Sequence, residues 1–256
     1  MTDAMTAEPP ATAAVLIIGD EILSGRTADV NLNAIAKLLV GIGVDLKEAR
    51  VVADEMDDIV DAVNALRTRY DYVFTTGGIG PTHDDITADA IAQAFGVPLY
   101  EHPEIIALLQ ARPGLELNAA RRRMARVPQG GTLVRNPVNG PPGFQIGNVF
   151  VMAGVPSIMR GMLEDIPHRL RTSALVLSRT IRVDGSGEGV IAAPLEGVAK
   201  AHPTLSLGSY PFFSAEGYGA NLVIRGRDPA EIEAALGELT AALREAGVER
   251  ITPVES

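Results

Sequence analysis

The sequence predicts an α/β protein whose first part is a mostly parallel sheet with helices on both faces. A smaller α+β domain of ferredoxin-like type is expected to follow it. Short β-branched apolar segments alternate with amphipathic stretches through the first part of the chain, which is typical of a three-layer α/β/α fold. Two of these segments lead directly into glycine-containing loops, as strands do where α/β sheets bind ligands. The last part has the order strand, helix, strand, strand, helix.

The individual elements follow from the spacing of apolar residues. In the first domain, strands are predicted at residues 14–18, 44–52, 72–76, 144–146 and 148–152. Helices are predicted at 27–40, after an N-cap at Asp54, from an N-cap at Thr87 to Phe95, at 103–111 and at 157–170. In the second domain, strands are predicted at 176–183, 204–210 and 220–225, and helices at 188–201 and 229–246.

Composition limits the classes of function. The chain has 256 residues, of which 46% are hydrophobic and 21% are charged, as in folded soluble proteins. Its net charge of −10 disfavours nucleic acids and anionic membranes as partners, and no apolar run reaches the ~18 residues of a membrane span. The absence of cysteine excludes disulfides and thiolate catalysis, and we expect a cytoplasmic protein.

Domain boundaries follow from the same composition. Residues 1–12 are rich in Ala, Thr and Pro and lack the basic start and apolar segment of a signal peptide. We therefore expect them to form a disordered tail. The first domain is predicted at residues 13–171 and the small α+β domain at residues 172–256.

The strongest functional signal is the loop after the strand at residues 72–76. Its glycines let the backbone approach a ligand, and the next helix presents N–H groups to an anion. Two adjacent carboxylates, Asp84 and Asp85, would repel a phosphate unless a divalent cation lay between them. We interpret the segment as a phosphate-and-metal loop, in which Asp84 and Asp85 bind the metal and act in catalysis. The candidates for ligand contact in this loop are Thr76, Gly77, Gly78, Gly80, Thr82 and Thr87. The alternative is a turn whose carboxylates only cap a helix.

A second candidate loop follows the first strand. Gly19, Asp20 and Glu21 place a carboxylate pair directly after residues 14–18, at the end of a strand where α/β sheets bind ligands. Asn31 lies in the first turn of the next helix, from which its amide would reach the same ligand. A solvated loop and a surface asparagine are the alternatives for these residues.

Two further segments contribute candidates. The stretch 136–144 is too rich in Pro and Gly for regular structure and predicts a shaped loop, in which Pro142 and Gly143 are candidates for ligand contact. The densest basic cluster contains Arg121, Arg122, Arg123 and Arg126. One of these arginines is a candidate for a phosphate contact, and a solvated face or salt bridges are the alternatives.

These motifs together resemble a known family. The loops at residues 19–25 and 76–87, Asn31, and the tripeptide at residues 154–156 are similar to those of the molybdopterin-binding (MoaB/MogA-like) domain. Within that family they look most like the CinA N-terminal-like branch and the matching domain of eukaryotic FAD synthase. The resemblance covers about residues 13–171. Residues 208–211 also resemble the small segment that follows this domain in FAD synthase.

The resemblance implies a three-layer fold and a small phosphorylated ligand, either a nucleotide diphosphate or molybdopterin. In the CinA-like branch it implies a pyrophosphatase that acts on ADP-ribose or FAD and depends on a divalent metal (Mg, Mn or Co). Molybdopterin binding or adenylylation is the alternative within the fold, and a non-catalytic ligand-binding module is the alternative outside enzymes. The resemblance also implies a homodimer, with a trimer as the alternative.

Overall fold

The structure is a computed structural model that describes residues 9–112, 116–138, 140–214 and 217–254. By its internal contacts the chain divides into two compact units, Met1–Ser173 and Ala174–Ser256. Most of the predicted tail, residues 1–8, lies outside the described residues. The remainder of that tail prediction is wrong, because Ala11 is fully buried and Thr12 begins the first strand.

The first unit alternates strands and helices. Its strands are β1 (Thr12–Ile18), β2 (Asp45–Val52), β3 (Tyr72–Thr76), β4 (Leu99–Glu101), β5 (Arg126–Pro128), β6 (Thr132–Val134), β7 (Gly143–Ile146) and β8 (Val149–Met152). Its helices are α1 (Asp20–Leu23), α2 (Asn31–Gly41), α3 (Met56–Arg69), α4 (Thr87–Phe95), α5 (Pro103–Gln110), α6 (Ala119–Arg123) and α7 (Pro156–Leu163). A short 3₁₀ helix, Pro167–Arg169, follows α7.

One six-stranded sheet has the order β2-β1-β3-β8-β7-β6. The first four strands in that order are parallel, whereas β7 and β6 are antiparallel additions at one side. Ile17 of β1 lies opposite Thr76 of β3, so these two strands end at the same edge of the sheet. The loops that begin at Gly19 and Gly77 therefore start beside each other, which brings the two predicted motifs together.

Hydrophobic cores cover both faces of this sheet. Alternate residues of β1 point to opposite sides, so that Leu16 belongs to the core beside α3 and α4 while Ile17 belongs to the core beside α2 and α7. Phe74 and Phe150 are fully buried and stack in the second core, with ring centroids 5.1 Å apart. Two buried faces explain the continuous apolar strands in the sequence, and they confirm the predicted three-layer α/β/α class.

The second unit is a small α+β layer. It contains β9 (Leu177–Asp184), α8 (Glu188–Ala201), β10 (Ser206–Ser214), β11 (Gly217–Gly226), α9 (Pro229–Glu245) and β12 (Arg250–Val254). The antiparallel sheet has the order β10-β11-β9-β12, and α8 and α9 share a core with it. This is the ferredoxin-like arrangement that was predicted. The sequence did not indicate β12, because a short, mostly exposed edge strand containing Pro253 lacks a strand pattern.

Two predicted helix caps are wrong, and both side chains have another role. Helix α3 begins after Glu55, and the carboxylate of Asp54 instead accepts a hydrogen bond from the backbone N–H of Asp20 at 3.0 Å. Helix α4 begins at Thr87 itself, whose hydroxyl donates to the carbonyl oxygen of Gly77 at 3.0 Å. Both side chains therefore connect the two loops to their surroundings rather than capping a helix.

The division into two units predicts that the first unit folds alone. Each hydrophobic core consists of residues from one unit only, so a chain ending at Ser173 keeps both of the cores that cover the six-stranded sheet. We expect this truncated protein to unfold cooperatively in urea, with a transition followed equally by circular dichroism and by tyrosine fluorescence. A broad, non-cooperative transition would show that the second unit completes the first.

Candidate functional site

The two predicted loops border one open pocket at the carboxyl ends of β1 and β3. The pocket has a volume of about 530 Å³, which is within the size range of small-molecule sites. Glu21 lines it from the first loop, and Gly77, Gly78, Gly80 and Asp85 line it from the second. The segment after β8 adds a mainly apolar part of the lining, which consists of Ala153, Val155, Pro156, Ile158 and Met162. The pocket thus combines a glycine loop with a surface on which a ring could rest.

Two glycines are required for the course of the loop. Gly77 has φ of +105°, and a Cβ there would lie 2.1 Å from the carbonyl oxygen of Ile18. Gly78 has φ of +65°, and a Cβ there would lie 2.1 Å from the hydroxyl oxygen of Thr87. Any side chain at these positions would displace the loop from β1 or from α4, so the backbone amides reach the pocket only because both residues are glycine.

The amides of the loop fall into two groups. Among the described residues, the backbone N–H groups of Gly78 and Ile79 have no hydrogen-bond acceptor. The N–H groups of Gly80 and Thr82, by contrast, donate to the carboxylate of Asp85. Consecutive free amides in a turn with positive φ are a common way to bind an anion. The amides of Gly78 and Ile79 are therefore the ones in this loop that are free to receive an anion, whereas the amide of Gly80 is already engaged.

Asp85 holds the loop in shape. Its Oδ1 accepts from the N–H of Gly80 at 2.7 Å, and its Oδ2 accepts from the N–H and the hydroxyl of Thr82 at 2.7 Å and 2.6 Å. Both carboxylate oxygens are thus engaged within the protein. A metal-binding role for Asp85 stays a prediction, but the bracing role is already visible in these three bonds.

Asp84 differs from its neighbour in exposure. Its side chain is 60% exposed, and its nearest basic group is Nδ1 of the exposed His83 at 3.9 Å. The Thr82 hydroxyl, the residue's own backbone amide, and the charges of His83 and Arg123 lower the pKa of Asp84. The carboxylate is therefore ionised at neutral pH, as a cation ligand must be, and it is open to solvent.

The loop after β2 contributes a carboxylate that the sequence did not single out as functional. Asp54, at the end of β2, accepts the N–H of Asp20 at 3.0 Å, and its own N–H donates to Asp20 Oδ1 at 3.4 Å. Partial burial raises the pKa of Asp54, and the negative charges of Asp20, Glu21 and Asp84 raise it further. The hydrogen bond from the Asp20 amide lowers this pKa, but the net shift is upward. Four carboxylates from three loops therefore interact at this edge of the sheet.

Removing one of these charges should stabilise the fold. Asp54→Asn is expected to raise the melting temperature at pH 7, because the folded state disfavours the ionised form of this carboxylate. Because the pKa of Asp54 is raised in the folded state, the free energy of unfolding of the wild type falls as the pH rises from the ordinary Asp pKa through the folded-state pKa. Asp54→Asn avoids this loss, so it is more stable than wild type at neutral pH and equally stable near pH 3. We expect a gain of at most about 2–4 °C, since a partly exposed repulsion contributes about 1 kcal/mol or less.

Calorimetry of wild type and Asp54→Asn at pH 3 and pH 7 measures this gain. The exposed Asp61 in α3 provides a control, because Asp61→Asn removes one charge far from the loops. An equal gain in both variants would show that overall net charge, rather than the local cluster, is responsible.

The arginine cluster divides into structural and loop-facing residues. Arg122 pairs with Glu101 at 2.6 Å, and Arg126 forms a bidentate pair with Asp89 at 2.8 and 2.7 Å. Arg123 instead donates to the carbonyl oxygens of His83 and Asp85 at 3.3 and 3.5 Å, while its Nε is buried without a partner among the described residues. Arg123 is thus the arginine that lies against the loop.

The remaining predicted residues fall into three groups. Asn31 and Thr76 line a small cavity beside the main pocket, together with Glu21. Pro142 lies in the wall of two neighbouring cavities. Gly143 and Gly19 serve packing and backbone geometry. A Cβ at Gly143 would lie 2.3 Å from the carbonyl oxygen of Val151, and the N–H of Gly19 donates to Val52 O at 3.1 Å.

Within the part of the chain that the structure describes, no group of three or more His, Cys, Asp or Glu side chains is arranged to enclose a metal ion. The carboxylates at the loops are near one another but do not converge on one point. In the same residues, no helix is long and apolar enough to cross a membrane.

Comparison with known proteins gives the family. The profile described as "Probable molybdopterin binding domain" matches residues 14–172, which include both loops and all of the six-stranded sheet except the first two residues of β1. The chain belongs to this family. A second profile, the middle domain of FAD synthase, matches residues 175–251 of the small unit. The family resemblance in the sequence is thus confirmed for both parts of the chain.

Individual proteins that are similar to this chain extend the comparison. A protein of Archaeoglobus fulgidus is 32% identical over 90% of this chain and 97% of its own length. A CinA-like protein of Citrifermentans bemidjiense is 39% identical over 72% of this chain and 47% of its own length. The chain therefore spans about half the length of the CinA-like relatives.

Among solved structures, the protein CinA of Thermoplasma acidophilum, described as having unknown function, is 31% identical. It covers 62% of this chain and 98% of its own length with a TM-score of 0.59.

Proposed function

We propose that this protein hydrolyses a nucleotide phosphoanhydride, with ADP-ribose or FAD as the substrate type. For ADP-ribose, water adds across the P–O–P bridge and the products are AMP and ribose 5-phosphate. The observation that carries the proposal is that one loop has both the unbonded amides of Gly78 and Ile79 and the ionised, exposed carboxylate of Asp84. Amides alone would serve a site that only binds phosphate, whereas a free carboxylate in the same loop favours a cation.

The electrostatic energies favour a cation when a diphosphate is bound. Two unit charges ~4 Å apart repel by roughly 4 kcal/mol at an effective dielectric constant near 20. A helix N-terminus offsets only ~0.3–1 kcal/mol of this, or ~2 kcal/mol when partly buried. The amides of the loop therefore do not compensate for placing a diphosphate beside Asp84 and Asp85.

The donor set fits a magnesium ion that arrives with the substrate. Mg²⁺ is usually bound through one or two carboxylates together with substrate phosphates and water, which agrees with the lack of a closed protein site in the described residues. Asp84 is the residue that would hold it, with Asp20 or Glu21 as further candidates and Asp85 through a lone pair left free by the loop bonds. Such an ion would neutralise phosphate charge and lower the pKa of a bound water.

The chain's own residues position the substrate. The amides of Gly78 and Ile79 donate to phosphate oxygens, and Asp85 keeps the following turn rigid so that these amides stay aligned. The apolar wall at Val155, Ile158 and Met162 contacts the less polar part of the ligand. Arg123 holds the carbonyls of His83 and Asp85 and so fixes the segment that carries Asp84.

A second candidate function is the binding or adenylylation of molybdopterin. Membership of the molybdopterin-binding family favours it, as does the apolar wall of the pocket, against which a pterin ring would pack. In this case the glycine loop would bind the single phosphate of the pterin. The homodimer and the cytoplasmic location expected from the sequence stay predictions.

A substrate panel separates these functions. ADP-ribose, FAD, NAD, and molybdopterin with ATP are each incubated with magnesium, manganese or cobalt, and the products are separated by chromatography. Cation-dependent release of AMP from ADP-ribose or FAD supports the proposed hydrolase. Formation of adenylylated molybdopterin from ATP supports the second candidate and contradicts the first. Binding without any product contradicts both enzymatic activities and leaves a ligand-binding module.

A further inference from the structure

A small cavity lies directly beside the main pocket. Its volume is about 50 Å³, which is enough for a few groups of water size and too small for a nucleobase or a pterin ring. Glu21, Thr27, Gly154 and Pro156 line both spaces, so the cavity is a side chamber of the ligand pocket. A ligand in the main pocket would therefore be able to place a small substituent in it.

Two buried polar side chains that line this cavity each have one atom without a hydrogen-bond partner among the described residues. Asn31 is only 4% exposed and Thr76 only 1% exposed. Among the described residues, neither Oδ1 of Asn31 nor the hydroxyl of Thr76 makes a hydrogen bond. Buried polar atoms are satisfied in the great majority of cases, because each unpaired one costs free energy. Their presence in one cavity indicates that an outside group completes them.

The chemistry of that group follows from the orientation of the amide. Nδ2 of Asn31 donates to the carbonyl oxygen of Gly154 at 2.7 Å, and a carbonyl oxygen accepts only from a donor. The remaining Oδ1 is therefore an acceptor and needs an O–H or N–H group opposite it. The Thr76 hydroxyl both donates and accepts, and the Glu21 carboxylate, also at the cavity, accepts. These acceptors thus indicate a small group with more than one hydroxyl donor.

We propose that this cavity is the subsite for the vicinal hydroxyls of a ribose, so that the protein selects ribonucleotides over deoxynucleotides. A ribose is joined to the phosphate that would bind at Gly78 and Ile79, and its two hydroxyls match the size and the acceptors of the cavity. A carboxylate that accepts from ribose hydroxyls is also the usual arrangement in dinucleotide-binding folds. The inference rests on the proposed nucleotide ligand and adds the feature of that ligand which is recognised.

The chain offers a matched pair of variants for the test. Thr75 and Thr76 are consecutive in β3, both are buried, and both hydroxyls lack a partner among the described residues. Because neighbouring strand residues point to opposite faces of the sheet, only Thr76 lines the cavity. Thr76→Val and Thr75→Val each replace one unpaired hydroxyl by a methyl group of similar size, so neither is expected to lower the melting temperature.

Calorimetric titration with ADP and with 2′,3′-dideoxy-ADP, both in the presence of magnesium, measures the preference for hydroxyls. We expect wild type and Thr75→Val to bind ADP roughly tenfold or more tightly than the dideoxy compound. Thr76→Val should bind ADP more weakly and lose most of this preference. Equal binding of both compounds by wild type would overturn the inference, as would an equal loss of preference in both variants.

The outcome is separable from that of the proposed hydrolase, because titration does not require turnover. Hydrolysis of ADP-ribose without a preference for ADP overturns only the ribose subsite. A clear preference for ADP without any hydrolysis supports the subsite and contradicts the hydrolase. No measurable binding of ADP overturns the ribose subsite, and the turnover of ADP-ribose then decides on the hydrolase by itself.

Discussion

Replacing Asp84 by Asn is expected to reduce hydrolysis of the substrate by about 10²-fold or more while leaving the melting temperature unchanged. The carboxylate is exposed and ionised, and the backbone N–H groups of Gly80 and Thr82 donate to Asp85 rather than to it. Its removal therefore affects the proposed cation and the transition state rather than the fold, and losses of this size are typical for such groups.

Steady-state kinetics with magnesium, manganese and cobalt, together with thermal unfolding, provide the two measurements. Asp61→Asn in α3 is the control, since Asp61 is an exposed aspartate outside the loops. Wild-type rates for Asp84→Asn with every one of these metals would show that the carboxylate has no part in the reaction.

Asp85→Ala should have a different effect from Asp84→Ala. Removing the Asp85 carboxylate leaves the amides of Gly80 and Thr82 and the Thr82 hydroxyl without their acceptor. The turn is then free to move, and we expect loss of both ligand binding and turnover. Partial hydration of these donors limits the loss of stability to roughly 1–2 kcal/mol, or about 2–8 °C in melting temperature.

Differential scanning calorimetry of the two alanine variants separates the roles. A lower melting temperature of Asp85→Ala agrees with a role of Asp85 in holding the loop. An unchanged melting temperature of Asp84→Ala agrees with a role of Asp84 as a cation ligand. Equal melting temperatures would mean that Asp85 does not brace the loop and that both carboxylates act on the ligand.

The order of strands and helices could be predicted because each relies on local patterns. A buried strand such as β3 is a continuous apolar run, and α4 has its apolar residues on one face before Gly96. The convergence of the loops after β1 and β3 followed from a general property of parallel sheets. The weak edge strand β12 has no such pattern and was not predicted.

The separate roles of the carboxylates at the loops were harder to predict. The bonds from Asp85 to Gly80 and Thr82 join residues five and three positions apart, so an aspartate after a Gly-Pro turn was a usable local signal for a brace. Asp54 had no such signal, because its contact with Asp20 depends on β2 lying next to β1 in the sheet. The sequence shows that Asp20 follows β1 and that Asp54 follows β2, but it does not show that β1 and β2 are neighbours in the sheet.

The central claim is that the glycine loop and Asp84 together hydrolyse a phosphoanhydride with the help of a divalent cation. Incubation of the wild-type protein with ADP-ribose, followed by ³¹P NMR, tests it most directly, once with magnesium and once with EDTA. We predict that the diphosphate signals are replaced by those of AMP and ribose 5-phosphate only in the sample with magnesium. Intact ADP-ribose in both samples, or equal hydrolysis in both, would contradict the claim.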